Sequence, residues 1–210
     1  MADPDPRASS SLVVAETERL VIRPWRLEEA PRVLDILSRI EVVKWLGDDV
    51  PVLMKDLDEA RTRIGRYHRQ SAVPPLGFWA VEVRGTGQAV GSALLLTLPN
   101  AEDGEVEIGW HLHPDSWGLG YASEAAGAVL AYGLAHGLSE VFALTDLDNY
   151  PSQAVARRIG MEPVGVMEKW YEGPSMVFRA RKVAQKIAQK IAEQLARELA
   201  GSSSGDPRDS

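Results

Sequence analysis

A change of hydrophobic period near the middle of the chain constrains the fold more than any other feature. Residues 78–83, 90–98 and 105–113 alternate as strands do, and only short polar connections separate them. Connections this short favour antiparallel neighbours. From Ala122 the apolar residues recur at helical spacing, after a loop that contains two glycines. The pattern therefore predicts an antiparallel sheet that leads through a glycine loop into a helix.

The flanking segments extend this sheet on both sides. They show strand or helix spacing between turn residues, with strands predicted over 19–24, 141–145, 163–169 and 175–180 and helices over 28–38, about 53–69 and about 149–159. The last two strands form a closing hairpin. The predicted fold class is α+β, with a mixed, largely antiparallel central sheet flanked by helices and a C-terminal helical extension.

The length of the chain favours one domain. Its 210 residues, 45% of them hydrophobic, are enough for one sizeable core and too few for two independent domains. We expect this domain to span residues 16–181. Residues 1–15 are rich in Asp, Pro and Ser and are typical of a disordered lead-in, and residues 201–210 are expected to be a disordered tail.

Residues 182–200 form the predicted helical extension. Apolar side chains recur at every fourth position from Val183 to Leu199. Because 3.6 residues make a turn, this stripe winds around the helix by about 40° per repeat and makes no straight heptad seam. An isolated helix of this length is only marginally stable, so our hypothesis is that the stripe supports self-association into a homo-oligomer. The regular repeat suits an appended extension as well as a natural one.

Charge and residue usage exclude several functions. A formal net charge of -7 argues against a nucleic-acid partner, which would require clustered basic residues. The apolar run over residues 12–15 is too short for a signal peptide, and no stretch approaches the ~20 apolar residues of a membrane span. We therefore expect a cytoplasmic protein with no membrane partner. The absence of cysteine excludes disulfides, thiolate metal sites and covalent intermediates on a cysteine.

The glycine loop is the strongest sign of a binding site. Gly118 and Gly120 lie between a strand and an amphipathic helix, so free backbone amides at the helix N-terminus are available to a phosphate. Glycine also lets an anion approach the backbone closely. The chain has no P-loop string, Gly-x-x-x-x-Gly-Lys-Ser/Thr. A dinucleotide-binding fold is an alternative, since Asp146 ends the next strand, but only about two strands follow it.

Four motifs occur in an order and at spacings shared with one known family. They are residues 107–114 (Glu-Ile-Gly-Trp-His-Leu-His-Pro), residues 117–125 (Trp-Gly-Leu-Gly-Tyr-Ala-Ser-Glu-Ala), Asn149-x-x-Ser152 and Arg158-Ile159-Gly160-Met161. This set resembles the GNAT superfamily of N-acetyltransferases, most closely the branch that contains the ribosomal-protein alanine acetyltransferases. The similarity covers roughly residues 16–181. It departs at Asp115, where the family signature begins with Gln or Arg, and Arg157 or Arg158 is an alternative cation for the phosphates.

The resemblance implies acetyl-CoA as the co-substrate. In the family it lies along the strand before the loop, so Trp110, His111 and Leu112 are expected to pair with its pantetheine amides through their backbones. The loop is expected to seat the pyrophosphate with residues Trp117, Gly118, Leu119, Gly120, Tyr121 and Ala122. The position of Asn149 binds the pantetheine arm in the family, although Asn149 also suits a helix cap. Ser152 is expected near the sulfur, as hydrogen-bond donor to the departing thiolate.

A general base is the remaining requirement, because an attacking amine must be neutral. An α-amino group has a pKa of about 8 and needs only modest help. Glu107 is the best-placed carboxylate, and a merely solvated strand glutamate is the competing interpretation. Tyr150 and Tyr171 are weaker candidates for proton transfer. His111 and His113 have a spacing that zinc sites use, but without a clear third ligand we expect no metal.

The sequence therefore predicts an N-acetyltransferase that moves an acetyl group from acetyl-CoA directly to a primary amine. The acceptor is a protein N-terminus or a small molecule, and by analogy Trp45 and Trp170 line its cleft. A nucleotide-linked oxidoreductase and a non-catalytic CoA-binding scaffold on the same fold are the alternatives.

Overall fold

A single mixed sheet organises the part of the chain that the computed structural model describes, residues 13–47 and 50–182. Its eight strands are β1 (Ala15–Glu16), β2 (Leu20–Arg23), β3 (Gly77–Val83), β4 (Gln88–Thr97), β5 (Val106–Leu112), β6 (Glu140–Thr145), β7 (Glu162–Met167) and β8 (Ser175–Arg181). The strand order is β1-β2-β3-β4-β5-β6-β8-β7. Within it, β5 and β6 pair in parallel and the other neighbours pair antiparallel.

Five α-helices accompany the sheet in the described residues. They are α1 (Ala30–Leu37), α2 (Ile40–Val43), α3 (Leu57–Gln70), α4 (Tyr121–Ala135) and α5 (Tyr150–Arg158). The predicted helix over 53–69 begins later, at Leu57, because the Asp56 side chain accepts hydrogen bonds from the amides of Asp58 and Glu59 at 3.0 and 2.9 Å and fixes the start there. The short helix α2 was not predicted, since four residues are too few for a periodic pattern.

The helices cover both faces of the sheet. On one face α4 and α5 pack through Val129, Leu130 and Val155 onto the strands. On the other face α1 and α3 enclose a second cluster that includes Val33 and Ile64. Alternation along β5 buries Ile108 in the first cluster. The intervening residues of β5 face the α3 side, where the functional cleft lies.

The predicted fold class is confirmed for the described residues. The antiparallel strands β3 to β5, the helix after the glycine loop and the closing hairpin of β7 and β8 all occur. One arrangement was not foreseen: β8 pairs with β6, so the hairpin leaves β7 at the sheet edge. No helix among the described residues is long and apolar enough to cross a membrane.

The predicted tails fall largely outside the described residues. Strand β1 begins at Ala15, the last residue of the predicted lead-in, and Val14 donates its backbone N–H to the carbonyl of Ile22 at 2.8 Å. The rest of the lead-in up to residue 12 is outside the described chain. So are the predicted helix beyond Lys182, the self-association assigned to it, and the tail over 201–210.

Candidate functional site

A gap in the sheet lies between β5 and β6. Along its other side β5 pairs with β4 from Val106 to Leu112. Towards β6 the register contains one pair, Glu107 with Phe142. The two parallel strands therefore separate beyond Ile108, and the edge of β5 from there to Leu112 is available for pairing with an extended ligand.

The backbone of β5 alternates between this gap and β4. His113 donates its N–H to the Val90 carbonyl of β4 at 2.8 Å, and a Cβ added to Gly91 would lie 2.1 Å from the His111 carbonyl oxygen. Residues 111 and 113 thus direct their backbone groups towards β4. By alternation, Trp110 and Leu112 direct theirs into the gap. The Leu112 carbonyl already accepts a hydrogen bond from Trp117 Nε1 at 2.9 Å.

The glycine loop lies at the end of this gap. Gly118 and Gly120 have φ values of +75° and +80°, in the left-handed region that favours glycine. Gly120 caps α4, and the first amide bonded within the helix is that of Glu124, to the Gly120 carbonyl at 3.1 Å. The amides before it are therefore free for an anion. A Cβ added at Gly118 would meet no atom within 4 Å, so the loop leaves open space above its backbone.

An ion pair from the start of the chain holds the loop in this conformation. Arg19 donates to the Leu119 carbonyl at 3.0 Å and to Glu124 at 2.7 Å, and its guanidinium lies 4.9 Å from the centre of the Tyr121 ring. Thr17 donates to the other Glu124 oxygen at 2.5 Å. Burial acts to raise the pKa of Glu124, but the hydrogen bonds from Thr17 and Arg19 outweigh it and lower the pKa. Glu124 therefore stays ionised and keeps its bonds to Arg19 and Thr17. We call the contacts of Arg19 with Glu124 and the Leu119 carbonyl the clamp on the loop.

Asp115, the departure from the family signature, is neutralised by Arg32. The Arg32 guanidinium lies 3.1 Å from the Asp115 carboxylate, and Ser116 Oγ donates to the same carboxylate at 2.6 Å. His113 Nδ1 lies 2.8 Å from it. Although burial acts to raise the pKa of Asp115, these hydrogen bonds lower it. Because Arg32 balances the negative charge, Asp115 does not oppose an anion at the loop as an isolated carboxylate would.

Asn149 and Ser152 begin α5 beside the gap. The Asn149 side chain is buried and accepts a hydrogen bond from the Ser152 backbone N–H at 3.2 Å, which confirms the predicted cap. The preceding loop is fixed by Gln153, whose amide donates to the carbonyls of Leu147 and Asp146 at 2.9 and 3.3 Å. Ser152 is thereby held at the cleft through its backbone, with its hydroxyl not needed for the cap.

Arg157 and Arg158, at the end of α5, make different contacts. Arg158 lines the cleft and donates to Ser123 Oγ, in the first turn of α4, at 3.2 Å. Arg157 instead lies over the Phe178 ring, 5.1 Å from its centre. Of the two cations considered from sequence, Arg158 is therefore the one beside the glycine loop.

The candidate base Glu107 lies on the face of β5 towards α3. Tyr171 donates its hydroxyl to Glu107 Oε1 at 2.8 Å, and both residues line the cleft. Tyr150 is 67% exposed and lies outside the cleft lining. Trp45 lines the cleft as expected, whereas Trp170 is buried against Phe142.

The opposite end of the cleft is built on an aromatic stack. The rings of Tyr67 and Phe78 are parallel with centroids 3.8 Å apart, and the His111 ring lies 5.9 Å from Phe78. Burial raises the pKa of Tyr67 to about 12. Burial, with the nearby charge of Arg63, lowers the pKa of His111 to about 4. His111 is therefore uncharged at neutral pH.

These parts line one cleft with a volume of about 1170 Å³. We call its two ends the loop end, which comprises residues 117–122 with Asn149 and Ser152, and the α3 end, which comprises Arg63, Arg66, Tyr67, Phe78 and His111. Glu107 and Tyr171 also line the cleft. Among residues 13–47 and 50–182, no group of three or more His, Asp or Glu side chains is arranged to hold a metal ion.

Comparison with known proteins identifies the family. The model of the acetyltransferase (GNAT) domain matches residues 19–162. The chain belongs to the GNAT acetyltransferase family. As a GNAT enzyme it is an acetyl-CoA-dependent N-acetyltransferase, and its sheet is not the parallel sheet that the dinucleotide-binding alternative requires.

Three relatives of this GNAT enzyme illustrate the range of similarity. An uncharacterized N-acetyltransferase of Bacillus subtilis, YoaA, is 26% identical over 159 residues, which is 75% of this chain and 87% of the relative. A GNAT acetyltransferase structure from Bacillus anthracis has a TM-score of 0.66 at 24% identity and covers 80% of this chain and 97% of that one. RimL, a ribosomal L7/L12 alpha-N-protein acetyltransferase solved with coenzyme A, has a TM-score of 0.67 at 16% identity and covers 81% of this chain and 98% of that chain.

Sequence reasoning missed several residues of this GNAT site. Arg19 and Glu124 are far apart in the sequence, as are Arg32 and Asp115, so no local spacing predicts their pairing. Gln153 was also missed, but a local signal could have found it. It lies in the first turn of a capped helix, from where its side chain can reach the preceding loop.

Proposed function

We propose that this enzyme binds acetyl-CoA in the gap between β5 and β6 and transfers its acetyl group directly to a primary amine within a ternary complex. The observation that carries the proposal is the coincidence of an open strand edge with a left-handed glycine loop in one cleft. An open edge offers amide pairing to the pantetheine arm. The loop and helix N-terminus offer free amides to the pyrophosphate.

The residues of the loop end have distinct binding roles in this proposal. Trp110 and Leu112 pair with the pantetheine through their backbones, and His111 supports them from the β4 side. The pyrophosphate lies on the backbone of residues 117–122, with Arg158 supplying the positive charge that the family signature places elsewhere. Asn149 contacts the pantetheine arm through the part of its side chain not used in the cap.

The reaction requires one proton to leave and one to arrive. Acetyl-CoA supplies the acetyl group as a thioester; an N–C bond forms at the amine, the C–S bond breaks, the amine loses a proton and the thiolate gains one. Glu107 accepts the amine proton, directly or through a water, with Tyr171 orienting its carboxylate by the 2.8 Å hydrogen bond. Ser152 Oγ donates a hydrogen bond to the departing thiolate. With no cysteine in the chain, direct transfer needs no cysteine-bound acetyl group.

The acceptor is proposed to be a protein N-terminal amine or a small-molecule amine. The resemblance to the ribosomal-protein alanine acetyltransferases supports the first, and the likeness to RimL in fold is consistent with it. An α-amino group suits a modest base such as Glu107, because its pKa of about 8 leaves a useful neutral fraction at neutral pH.

Two measurements test this proposal together. Calorimetric titration is expected to show binding of both CoA and acetyl-CoA, and thiol release from acetyl-CoA is expected to increase with at least one member of a panel of peptides and small amines. Absence of CoA binding would overturn the assignment of the cleft. Binding without thiol release against the whole panel would instead favour the non-catalytic CoA-binding scaffold.

A further inference from the structure

One face of α3 is turned into the cleft. Arg63, Arg66, Tyr67 and Gln70 have the i, i+3, i+4 and i+7 spacing of a single helical face, and all four line the cleft. Tyr67 is buried and stacks on Phe78 of β3. The stack fixes α3 against the sheet, so the two arginines are held at the α3 end by a rigid support.

Neither arginine has a carboxylate partner among the described residues. Most other arginines there form ion pairs; Arg61, close by on α3, lies 2.8 Å from Asp58. Arg63 and Arg66 form no such pair, and Arg63 lies against the Tyr67 hydroxyl. Burial lowers the pKa of Arg66, and repulsion from Arg63 adds to this effect. Within residues 13–47 and 50–182, a protein with net charge -7 thus keeps two adjacent cations that no carboxylate pairs with.

Arg63 and Arg66 give the α3 end its positive charge, and Lys44 also lines the cleft. His111, which is near enough to Arg63 to feel its charge, is neutral because burial lowers its pKa to about 4. Glu107 lies four residues before His111 on the same face of β5, which separates their backbones by roughly 13 Å along the strand. The proposed base and the two arginines line the same cleft. Their long side chains can span much of this separation, so one acceptor molecule can contact both.

We propose that the acceptor is a primary amine that also carries an anionic group, a carboxylate or a phosphate, and that Arg63 and Arg66 bind this group while the amine faces Glu107. The inference rests on the acetyl transfer proposed above and narrows its acceptor. The guanidinium fork matches carboxylate and phosphate oxygens in two-point hydrogen bonds. A cationic acceptor such as a polyamine is disfavoured, because its additional ammonium groups meet the two arginines.

Matched pairs of acceptors test the anion. The pairs are alanine with alaninamide, phosphoethanolamine with ethanolamine, and peptides that begin Ser-Asp with those that begin Ser-Asn. In each pair only the anionic group differs. We expect at least one anionic member to exceed its neutral partner about tenfold or more in kcat/KM, as charge-assisted hydrogen bonds allow. The pair that shows the preference distinguishes a free carboxylate, a phosphate and an acidic peptide.

Arginine variants test whether Arg63 and Arg66 cause the preference for anionic acceptors. Arg63→Gln and Arg66→Gln are each expected to reduce it several-fold, and the double variant is expected to abolish it while CoA affinity and turnover of the neutral member are unchanged. Arg69→Gln is the control, since Arg69 lies on α3 outside the cleft lining. Equal rates within every pair, or a preference that survives in the double variant, would overturn the proposal.

Equilibrium binding keeps this test separate from catalysis. N-acetylalanine and N-acetylalaninamide, and the N-acetyl derivatives of phosphoethanolamine and ethanolamine, are titrated onto the CoA complex. We expect an acetylated anion to bind about tenfold more tightly than its neutral partner in the wild type and equally in the double variant. If neither acetylated anion binds more tightly than its neutral partner, the anion site is rejected even if transfer occurs. The expected binding without turnover would instead reject only the transfer step.

Discussion

The two ends of the cleft balance their charges differently. Around the loop end, two ion pairs hold the backbone, Arg19 with Glu124 and Arg32 with Asp115, while Arg158 is hydrogen-bonded to Ser123. At the α3 end, Arg63 and Arg66 lie without a carboxylate partner among the described residues, beside a neutral imidazole. The loop end is built to hold its backbone in one conformation, whereas the α3 end leaves side-chain charge available to a ligand.

This difference corresponds to two kinds of recognition. A co-substrate that is common to a family can be bound by backbone amides, which every sequence provides once the loop has the correct conformation. An acceptor is distinguished by side chains, which differ freely on a shared scaffold. Variants at the loop end are therefore expected to change CoA affinity or chemistry, and variants at the α3 end are expected to change acceptor preference or the response to pH.

The largest effect is expected from Ser152→Ala. Loss of the hydrogen bond to the departing thiolate should lower kcat by about 10²-fold, with little change in acetyl-CoA affinity, because the donor acts chiefly in the transition state. The helix cap should persist, since Asn149 binds the Ser152 backbone N–H. Single-turnover kinetics and calorimetry measure the two quantities. Ser175→Ala, also at the cleft, is the control, and an equal kcat in both variants would remove Ser152 from the mechanism.

The next effect tests the neutral imidazole at the α3 end. The pKa of His111 is about 4 in the folded protein, below its ordinary value of 6.5. Between these values the unfolded chain binds a proton that the folded chain does not, so the free energy of unfolding should decrease as pH falls, by about 2 kcal/mol. Denaturant unfolding from pH 7 to pH 4 measures the decrease. His111→Asn should make this decrease smaller, whereas His136→Asn, at an exposed site, should not. If the free energy of unfolding changes equally with pH in all three proteins, the lowered pKa of His111 is contradicted.

A smaller effect is expected when the glycine loop is strained. Gly120→Ala adds a Cβ at φ +80° and 3.3 Å from the Arg19 guanidinium, at a cost of about 1 kcal/mol or more. CoA affinity should fall about tenfold as the loop relaxes. Gly127→Ala adds the same atom within α4, at an ordinary 3.7 Å from Ile159, and should leave affinity unchanged. Normal CoA affinity in a folded Gly120→Ala protein would mean that the pyrophosphate lies elsewhere.

The smallest effect is expected from the clamp on the loop. Arg19→Gln removes the ion pair with Glu124, which is partly exposed and therefore contributes about 0.5–1 kcal/mol. CoA affinity should fall about threefold. The matched control is Arg84→Gln, which removes an exposed ion pair with Glu16 away from the cleft. If both variants bind CoA as tightly as the wild type, the loop holds its conformation without the clamp.

Much of the loop end was predictable because its signals are local. The spacing of Gly118 and Gly120, the cap at Asn149 and the alternation along β5 each depend on neighbouring residues, and each has a direct counterpart in the structure. The predicted role of His111 in backbone pairing is less well supported by the geometry, because its carbonyl is directed towards β4. Alternation along a strand was sufficient in principle to separate it from Trp110 and Leu112.

By itself the sequence determined the sheet, the glycine loop that we propose as the phosphate site, and the helix that follows it, because periodicity, capping and left-handed glycines act over a few residues. Only the tertiary structure decided which charges are balanced. Arg19 pairs with Glu124, Arg32 pairs with Asp115, and Arg63 lies near His111. In each case the two residues belong to segments far apart in the chain. Such contacts depend on how the helices, the loop and the sheet pack together, and no local sequence pattern encodes that packing.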